Sequence, residues 1–329
     1  SGIPCIGVTG TRGKSTVAHM LHSILKEAGK PVLLGGNVRG VSNLSLLNEA
    51  TPEHVAVLEL DSWQLQGWGE AHLSPHIAVF TTLYQDHLNY YKKRPEQYLA
   101  DKANIFLYQK PEDTLMLGKQ CAPTVIEKYG EQIESKTVVV DELKLPDTWT
   151  LRIPGMHNRY NAALALAAAR AAGISDDVIR KALESFAGVP GRLELIRELN
   201  GVKIYNDTTS TTPEATLAAL AALNEGFTKP IILIMGGTDK NLDMDALLAE
   251  IPNAVKRVIL LAGTGTDRIK NQLPENTTIY GSIGDAITNA MNAAEAGDTV
   301  LFSPAFTSFG MFKNEFDRGD QFAAIVQAL

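Results

Sequence analysis

Gly7-Val-Thr-Gly-Thr-Arg-Gly-Lys-Ser-Thr16 is the stretch that decides how this 329-residue chain folds. A short apolar run, Ile3 to Val8, precedes it, and a helical pattern from Lys14 to Ala28 follows. Strand, glycine loop and helix in that order make the context of a phosphate-binding loop. Glycines let several N–H groups converge on phosphate oxygens, and the helix N-terminus adds its dipole. Lys14 is expected to reach the β- and γ-phosphates, and the Ser15 hydroxyl to ligate Mg²⁺. Gly10, Thr11, Gly13 and Thr16 complete the expected nucleotide cradle. The spacing is G-x-x-G-T-x-G-K-S, with Val8 where the plain Walker pattern has glycine.

The totals set the frame. This length suggests two domains, and 45% hydrophobic with 20% charged residues is ordinary for a globular α/β protein. A net charge of −7 recommends neither nucleic acid nor an anionic membrane as partner, so local basic residues must do any phosphate binding. No apolar run has the length of a membrane span, and no signal peptide is expected. Two cysteines, Cys5 and Cys121, make neither a disulfide framework nor a metal quartet. The expected setting is a reducing cytoplasm and the expected state a monomer.

Near-continuous apolar runs at Ile3–Val8, Val32–Leu34, His54–Leu60, Ile77–Leu83 and Thr137–Val140 alternate with helical patterns at Lys14–Ala28 and Pro95–Tyr108. This indicates a mostly parallel sheet covered on both faces. Asn161–Ala172 and Asp176–Ala187 read as two further helices. Gly188-Val-Pro-Gly-Arg192 then punctuates the chain. A hairpin turned at Asn200-Gly201 and a second strand–helix alternation, running to Gly319–Leu329, indicate a Rossmann-like sheet of their own. The expected domains are therefore 1–189 and 190–329.

Chemistry-bearing residues sit at expected strand ends, where ligands bind in open α/β sheets. Glu59 ends one strand before Asp61-Ser-Trp-Gln-Leu65 and suits a Mg²⁺ ligand; a solvated strand-end acid is the plain reading. Asp86 and His87 follow the Ile77–Leu83 run, and His87 suits a metal or phosphate contact. His19, His22, His54, His72 and His76 have no comparable setting and read as structural. Lys102, inside a helix, reads by default as solvated surface. Asn158 and Asn161 read either as helix caps or as base contacts. In the second half, Asn206-Asp-Thr-Thr-Ser-Thr-Thr212 carries too many polar groups for one cap and suggests ligand contacts. Gly236-Gly-Thr-Asp-Lys240 and Ser303-Pro-Ala-Phe-Thr-Ser308 follow two more strands. The three loops are expected to converge on one crevice.

Taken together, the chain resembles the Mur ligase family. The matching stretches run in family order over essentially its whole length: GVTGTRGKST, GGNVRG, LELDSWQL, DHLNYY, ADKANIF, GMHNRYNAALA, GVPGRLE, YNDTTSTTPEATLAAL, MGGTDKN and LFSPAFTSFGMFKNEFDRGDQF. The last of these is most similar to the members that add D-glutamate to UDP-N-acetylmuramoyl-L-alanine. The resemblance implies a P-loop NTPase-like central domain, a Rossmann-like C-terminal domain, and ATP with two Mg²⁺ ions as cofactors. It implies that Glu59 binds the first metal and His87 the second, with Lys102 carbamylated to help place it. It puts Asn37 on the nucleotide-sugar, Asn158 and Asn161 by the adenine, and Arg192 and Asp207 on ATP. Thr211, Lys240, Ser308 and Phe309 would meet the incoming amino acid. The implied reaction passes through an acyl phosphate, with the second domain closing about a hinge near Val189.

Two departures bear on this. Thr209 stands where the family pattern has lysine, and the family's N-terminal UDP-binding domain is expected to be absent. Two other readings follow. One keeps the fold and uses L-glutamate or another amino acid, or is folylpolyglutamate-synthase-like, although the tail motif speaks against the folate relative. The other is a non-catalytic ATP-binding module that needs a separate UDP-binding chain.

Overall fold

The computed structural model describes residues 2–39, 41, 43–84, 90–91, 94–224 and 231–329. The chain packs as two compact units, Ser1–Arg152 with Met156–Phe186, and Ile153–Gly155 with Ala187–Leu329.

In the first unit, strands β1 (Cys5–Thr9), β2 (Val32–Gly36), β3 (Val55–Glu59), β4 (Ile77–Phe80), β5 (Thr114–Gly118) and β6 (Lys136–Val140) form one sheet in the order β2-β3-β1-β4-β5-β6. Every pairing is parallel. The helices are α1 (Lys14–Glu27), α2 (Asn43–Glu49), α3 (Ser62–Glu70), α4 (Pro95–Ala103), α5 (Ala122–Tyr129), α6 (Met156–Ala171) and α7 (Asp176–Ser185). Alternate strand residues point to opposite faces. Ala78, Phe80, Leu115 and Leu117 therefore pack with Leu65, Leu99, Ala103 and Val125 of α3, α4 and α5. On the other side α1 packs against α6 and α7. Such two-sided cover is why these strands are apolar throughout.

Four elements carry no clear signal in the sequence. Strand β5 reads Thr-Leu-Met-Leu-Gly with no β-branched residue beyond Thr114, and α3 contains Gly67 and Gly69. Helices α2 and α5 are only 7 and 8 residues long. Two expected boundaries move. Helix α4 stops at Ala103 rather than Tyr108, because Ile105 and Phe106 turn inward through bonds to the Lys102 and Ala103 carbonyls and bury in the core. Helix α6 starts at Met156 rather than Asn161, immediately after Pro154-Gly155.

The second unit contains β7 (Glu194–Leu199), β8 (Val202–Asn206), β9 (Ile231–Gly236), β10 (Val255–Leu261), β11 (Thr278–Tyr280) and β12 (Thr299–Phe302) in the order β11-β10-β9-β12-β8-β7. Only β7 runs antiparallel, paired to β8 across the Asn200-Gly201 turn. Its helices are α8 (Pro213–Leu223), α9 (Asp245–Ala254), α10 (Thr264–Ile269), α11 (Ile283–Ala293) and α12 (Glu315–Ala328). The sheet separates two cores. Ile231, Leu233 and Met235 pack with α8 and α9, while Ile232 and Ile234 pack with α11 and α12.

Gly36, at the end of β2, has φ +86°, and a Cβ there would collide with the Glu59 carbonyl. Gly36→Ala is expected to cost roughly 3 kcal/mol of stability. Urea unfolding checks this, and a loss under about 1 kcal/mol would contradict the close packing of these strand ends.

Candidate functional site

The loop after β1 is held in shape by the end of β4. Thr11 N donates to the Thr82 carbonyl at 2.7 Å, and Arg12 N to Thr82 Oγ1 at 2.9 Å. Thr81 Oγ1 lies 3.1 Å from the Thr9 carbonyl and 2.5 Å from that of Arg12. The Thr81 carbonyl in turn accepts from the Tyr160 hydroxyl of α6 at 2.7 Å. Thr81 and Thr82 have no assigned role in the sequence, yet they fix the loop. Their position at a strand's carboxyl end is the signal that could have found them. Gly13 has φ +85° and opens α1, and the Asn161 side chain occupies the space where a Cβ would sit. Lys14 Nζ curls back to the Thr11 carbonyl at 3.2 Å. His19 reaches the Ser15 carbonyl at 2.8 Å, as a structural histidine would.

Lys102 overturns its default reading as solvated surface. It is 1% exposed, and its ammonium donates to the Gly10 carbonyl at 2.9 Å and to Thr9 Oγ1 at 3.2 Å. It also stands 4.8 Å over the Tyr98 ring. Burying an ammonium is expensive unless oxygens or a ring face replace its water, and both do so here. The neighbouring Asp101 is buried too, accepting from Tyr91 at 2.9 Å and Gln66 at 2.7 Å.

Glu59 is 4% exposed at the end of β3, level with Val8 in the sheet register. Asp61, just beyond, closes a capping box with Gln64 and is occupied as a helix cap. Asn37 is exposed, and its N–H is fixed to the Glu59 carbonyl at 2.7 Å. Asn158 and Asn161 are buried inside α6, so neither caps it. The structure thus brings Gly10, Thr11, Gly13, Lys14, Lys102 and Asn161 together, with Glu59 and Asn37 on the adjoining strand ends. Asp86 and His87 lie outside the described residues.

In the second unit three strand-end loops meet. Thr238 and Thr307 exchange backbone bonds at 3.0 and 3.2 Å, and Ala305 N donates to the Ser210 carbonyl at 2.9 Å. Lys240 Nζ reaches Thr211 Oγ1 at 3.3 Å. Ser308 is buried beside exposed Phe309, whose carbonyl accepts from the Thr238 hydroxyl. Most of the Asn206–Thr212 polar groups, expected to contact ligand, are instead used to hold the loops. Thr208 Oγ1 donates to the Glu315 carbonyl, Thr209 Oγ1 to that of Gly191, and Thr212 caps α8. Buried backbone has to be satisfied before any ligand can be.

Two buried charges organise this floor. Asp207 accepts from Leu193 N, Ser210 Oγ and Ser303 Oγ, and burial pushes its carboxyl up to about 6. Arg318, fully buried, donates to both oxygens of Thr208 and to the Phe306 carbonyl, tying the loop after β8 to the loop after β12. Burial lowers its guanidinium to about 10, so it stays charged near neutral pH. Nothing in the local sequence separates Arg318 from an ordinary helix-surface arginine.

Comparison with known proteins agrees with this arrangement. The profile of the Mur ligase middle domain matches residues 8–169, and that of the Mur ligase glutamate ligase domain matches residues 191–306. A UDP-N-acetylmuramoylalanine–D-glutamate ligase of Roseiflexus sp. (strain RS-1) is 38% identical, aligning over 99% of this chain and 76% of its own length. The enzyme of the same name from Acetivibrio thermocellus is 36% identical over 98% of this chain and 74% of its own. The chain belongs to the Mur ligase family. It is an enzyme of the ATP-dependent, ADP-forming ligase class. Among solved structures, MurF ligase from Thermotoga maritima in complex with ADP superposes with a TM-score of 0.74 at 19% identity, over 99% of this chain and 80% of that one. E. coli FolC in complex with ADP gives 0.73 at 20%, over 99% and 89%. These two share the Mur ligase fold. Among the described residues no helix is long and apolar enough to cross a membrane.

Asp207 yields a pH test. Its folded-state value lies above the ordinary 3.8, so the folded chain binds the extra proton between about pH 4 and 6. Its contribution to stability is largest below that window and falls by roughly 3 kcal/mol as pH rises through it. The melting temperature of wild type relative to Asp207→Asn is expected to improve as pH drops from about 7 to about 5. The opposite trend would contradict a strained buried carboxylate.

Proposed function

We propose that this chain joins D-glutamate to UDP-N-acetylmuramoyl-L-alanine, cleaving ATP to ADP and phosphate, in the cytoplasm. The substrate assignment is supported by the relatives of that name at 34–38% identity over nearly the whole chain. The observation that carries the chemistry is the phosphate loop. It is preorganised by Thr81 and Thr82, with Lys14 at its mouth and the Lys102 amine buried against Gly10.

The substrate carboxylate attacks the γ-phosphorus of ATP, the bond to the β–γ bridging oxygen breaks, and ADP leaves. The resulting acyl phosphate accepts the amino group of glutamate at its carbonyl carbon. Phosphate departs, and the amine's surplus proton goes to solvent. In this reading Lys14 neutralises charge developing on the transferred phosphoryl group, and the backbone N–H groups of the loop hold its neighbours. Lys102 keeps the Thr9–Gly10 edge of the loop fixed. Asn158 and Asn161 line the adenine side, and Arg192 meets the nucleotide phosphates. Lys240 supplies charge for a glutamate carboxylate, with Thr211 and Ser308 as hydrogen-bonding partners.

Mg²⁺ fits the oxygen donors gathered beside the phosphate loop. A buried carboxylate needs a compensating cation, and Glu59 is one; hard oxygen donors suit Mg²⁺. Glu59 and the Ser15 hydroxyl would hold the ion, with His87 and Lys102, the latter only once carbamylated to an oxygen donor, proposed for a second. When bound, it would withdraw charge from the phosphate oxygens. Among the described residues no cluster of three His, Cys, Asp or Glu side chains forms a self-sufficient metal site. The triphosphate must supply the remaining oxygens.

A phosphate-release assay with UDP-N-acetylmuramoyl-L-alanine and a panel of amino acids tests the reaction. D-glutamate is expected to give the fastest release; equal release with L-glutamate would overturn the assignment. For the loop, titration calorimetry of ATP·Mg²⁺ is expected to show Lys14→Ala binding at least about tenfold more weakly, a loss of about 1.4 kcal/mol. Unchanged affinity would remove Lys14 from the site.

A further inference from the structure

The segment ahead of β7 places Arg192 between two residues of left-handed backbone, Gly191 at φ +72° and Leu193 at φ +49°. Glycine adopts that region freely, whereas leucine does not. A strained leucine persists only where its surroundings fix it. Here they do. The Leu193 side chain is 5% exposed and packs with Tyr205, Leu301 and Phe306. Its N–H is spent on Asp207 Oδ1 at 3.0 Å. Asp207 is itself immobilised through Oδ2, which accepts from Ser210 at 2.5 Å and from Ser303 at 2.8 Å.

The other flank of Arg192 is tied to the same loop. The Gly191 carbonyl accepts both from Thr209 N at 3.1 Å and from Thr209 Oγ1 at 2.9 Å. Gly191 N donates to Glu194 Oε2 at 2.8 Å, and Arg192 N to the Val189 carbonyl at 3.0 Å. A Cβ on Gly191 would press on the Thr208 methyl at 2.8 Å, so the two segments lie in contact. Arg192 itself is exposed. Its side chain leaves a backbone that is fastened on both sides.

We infer that Asp207 and Thr209 are positioning residues for Arg192, clamping the peptide groups before and after it so that the guanidinium is presented from a fixed origin. The physical gain is preorganisation. An arginine on a free loop loses backbone and side-chain freedom on meeting an anion, and fixing the backbone beforehand removes part of that loss. Thr209 thus has a task in this chain at the position where the family resemblance expects lysine. Its hydroxyl is turned to the Gly191 carbonyl. The inference rests on the reading of Arg192 as a nucleotide contact. Asp207 acts on Arg192 through the Leu193 N–H.

The test is a double-mutant cycle in the phosphate-release assay with ATP, UDP-N-acetylmuramoyl-L-alanine and D-glutamate. Thr209→Val keeps the shape and removes one bond, and is expected to raise KM for ATP about fivefold while leaving KM for D-glutamate unchanged. Thr209→Ser keeps the hydroxyl and restores the wild-type value. In an Arg192→Ala background Thr209→Val should have no further effect. If Arg192→Ala is impaired and the two losses multiply, the clamp is overturned while the nucleotide reading stands. If Arg192→Ala is silent, the nucleotide reading falls and the inference with it. Amide hydrogen exchange judges the clamp without activity. The Leu193 amide is expected to exchange slowly in wild type and at least tenfold faster in Asp207→Ala, which removes the acceptor, and equal rates would also overturn it.

Discussion

Four threonine side chains and a buried lysine hold the phosphate loop from behind, and the chemistry proposed for this fold depends on that support. Thr9, Thr11, Thr81 and Thr82 join the loop to the end of β4 and to Leu60 beyond β3, and Lys102 closes the network from α4. A glycine-rich turn left to itself would lose much of its anion affinity to conformational entropy. Here the ordering cost is met when the sheet forms, because β1 lies between β3 and β4 and cannot shift without breaking both pairings. The strand order β2-β3-β1-β4 does more than carry the loop. It brings a carboxylate, Glu59, and a pair of hydroxyls, Thr81 and Thr82, to its two sides.

The second unit solves a similar problem with charges. Three loops from the ends of β8, β9 and β12 must lie together at the edge of the core that Ala305 and Phe306 enter. Arg318 satisfies carbonyls of the loops after β8 and β12, Asp207 gathers donors from those same two loops and from the lead-in to β7, and Thr238 ties the loop after β9 to Thr307 by backbone bonds. Neither has an ion-pair partner at contact distance among the described residues. Such groups are costly to bury and costlier to leave half satisfied. Three hydrogen bonds to each give this site a defined geometry.

Much of this organisation was legible in the sequence. The phosphate loop and the second set of strand-end loops declare themselves through glycines and hydroxyls next to apolar runs. The order of motifs alone points to the family. What was hidden is instructive. Lys102 has the local sequence of a surface lysine, and only the crossing of α4 over the loop buries it. Thr208 and Thr209 look like ligand contacts and are tied instead to Glu315 and Gly191, because which hydroxyl faces inward is set by neighbours more than 15 positions away. Short elements such as β5, whose only β-branched residue is Thr114, owe their form to pairing with β4 and β6 and not to propensity.

The division of the second sheet's apolar residues between two separate cores has a consequence for redesign. Neighbouring residues of β9 report to different layers, Leu233 to the α8–α9 side and Ile234 to the α11–α12 side. Arg318 belongs to α12, so repacking on that side displaces a guanidinium on which two loops rely. Among the described residues the α8–α9 layer carries no comparable buried charge. A chimaera that exchanges only the α8–α9 layer therefore leaves the Arg318 contacts to both loops untouched.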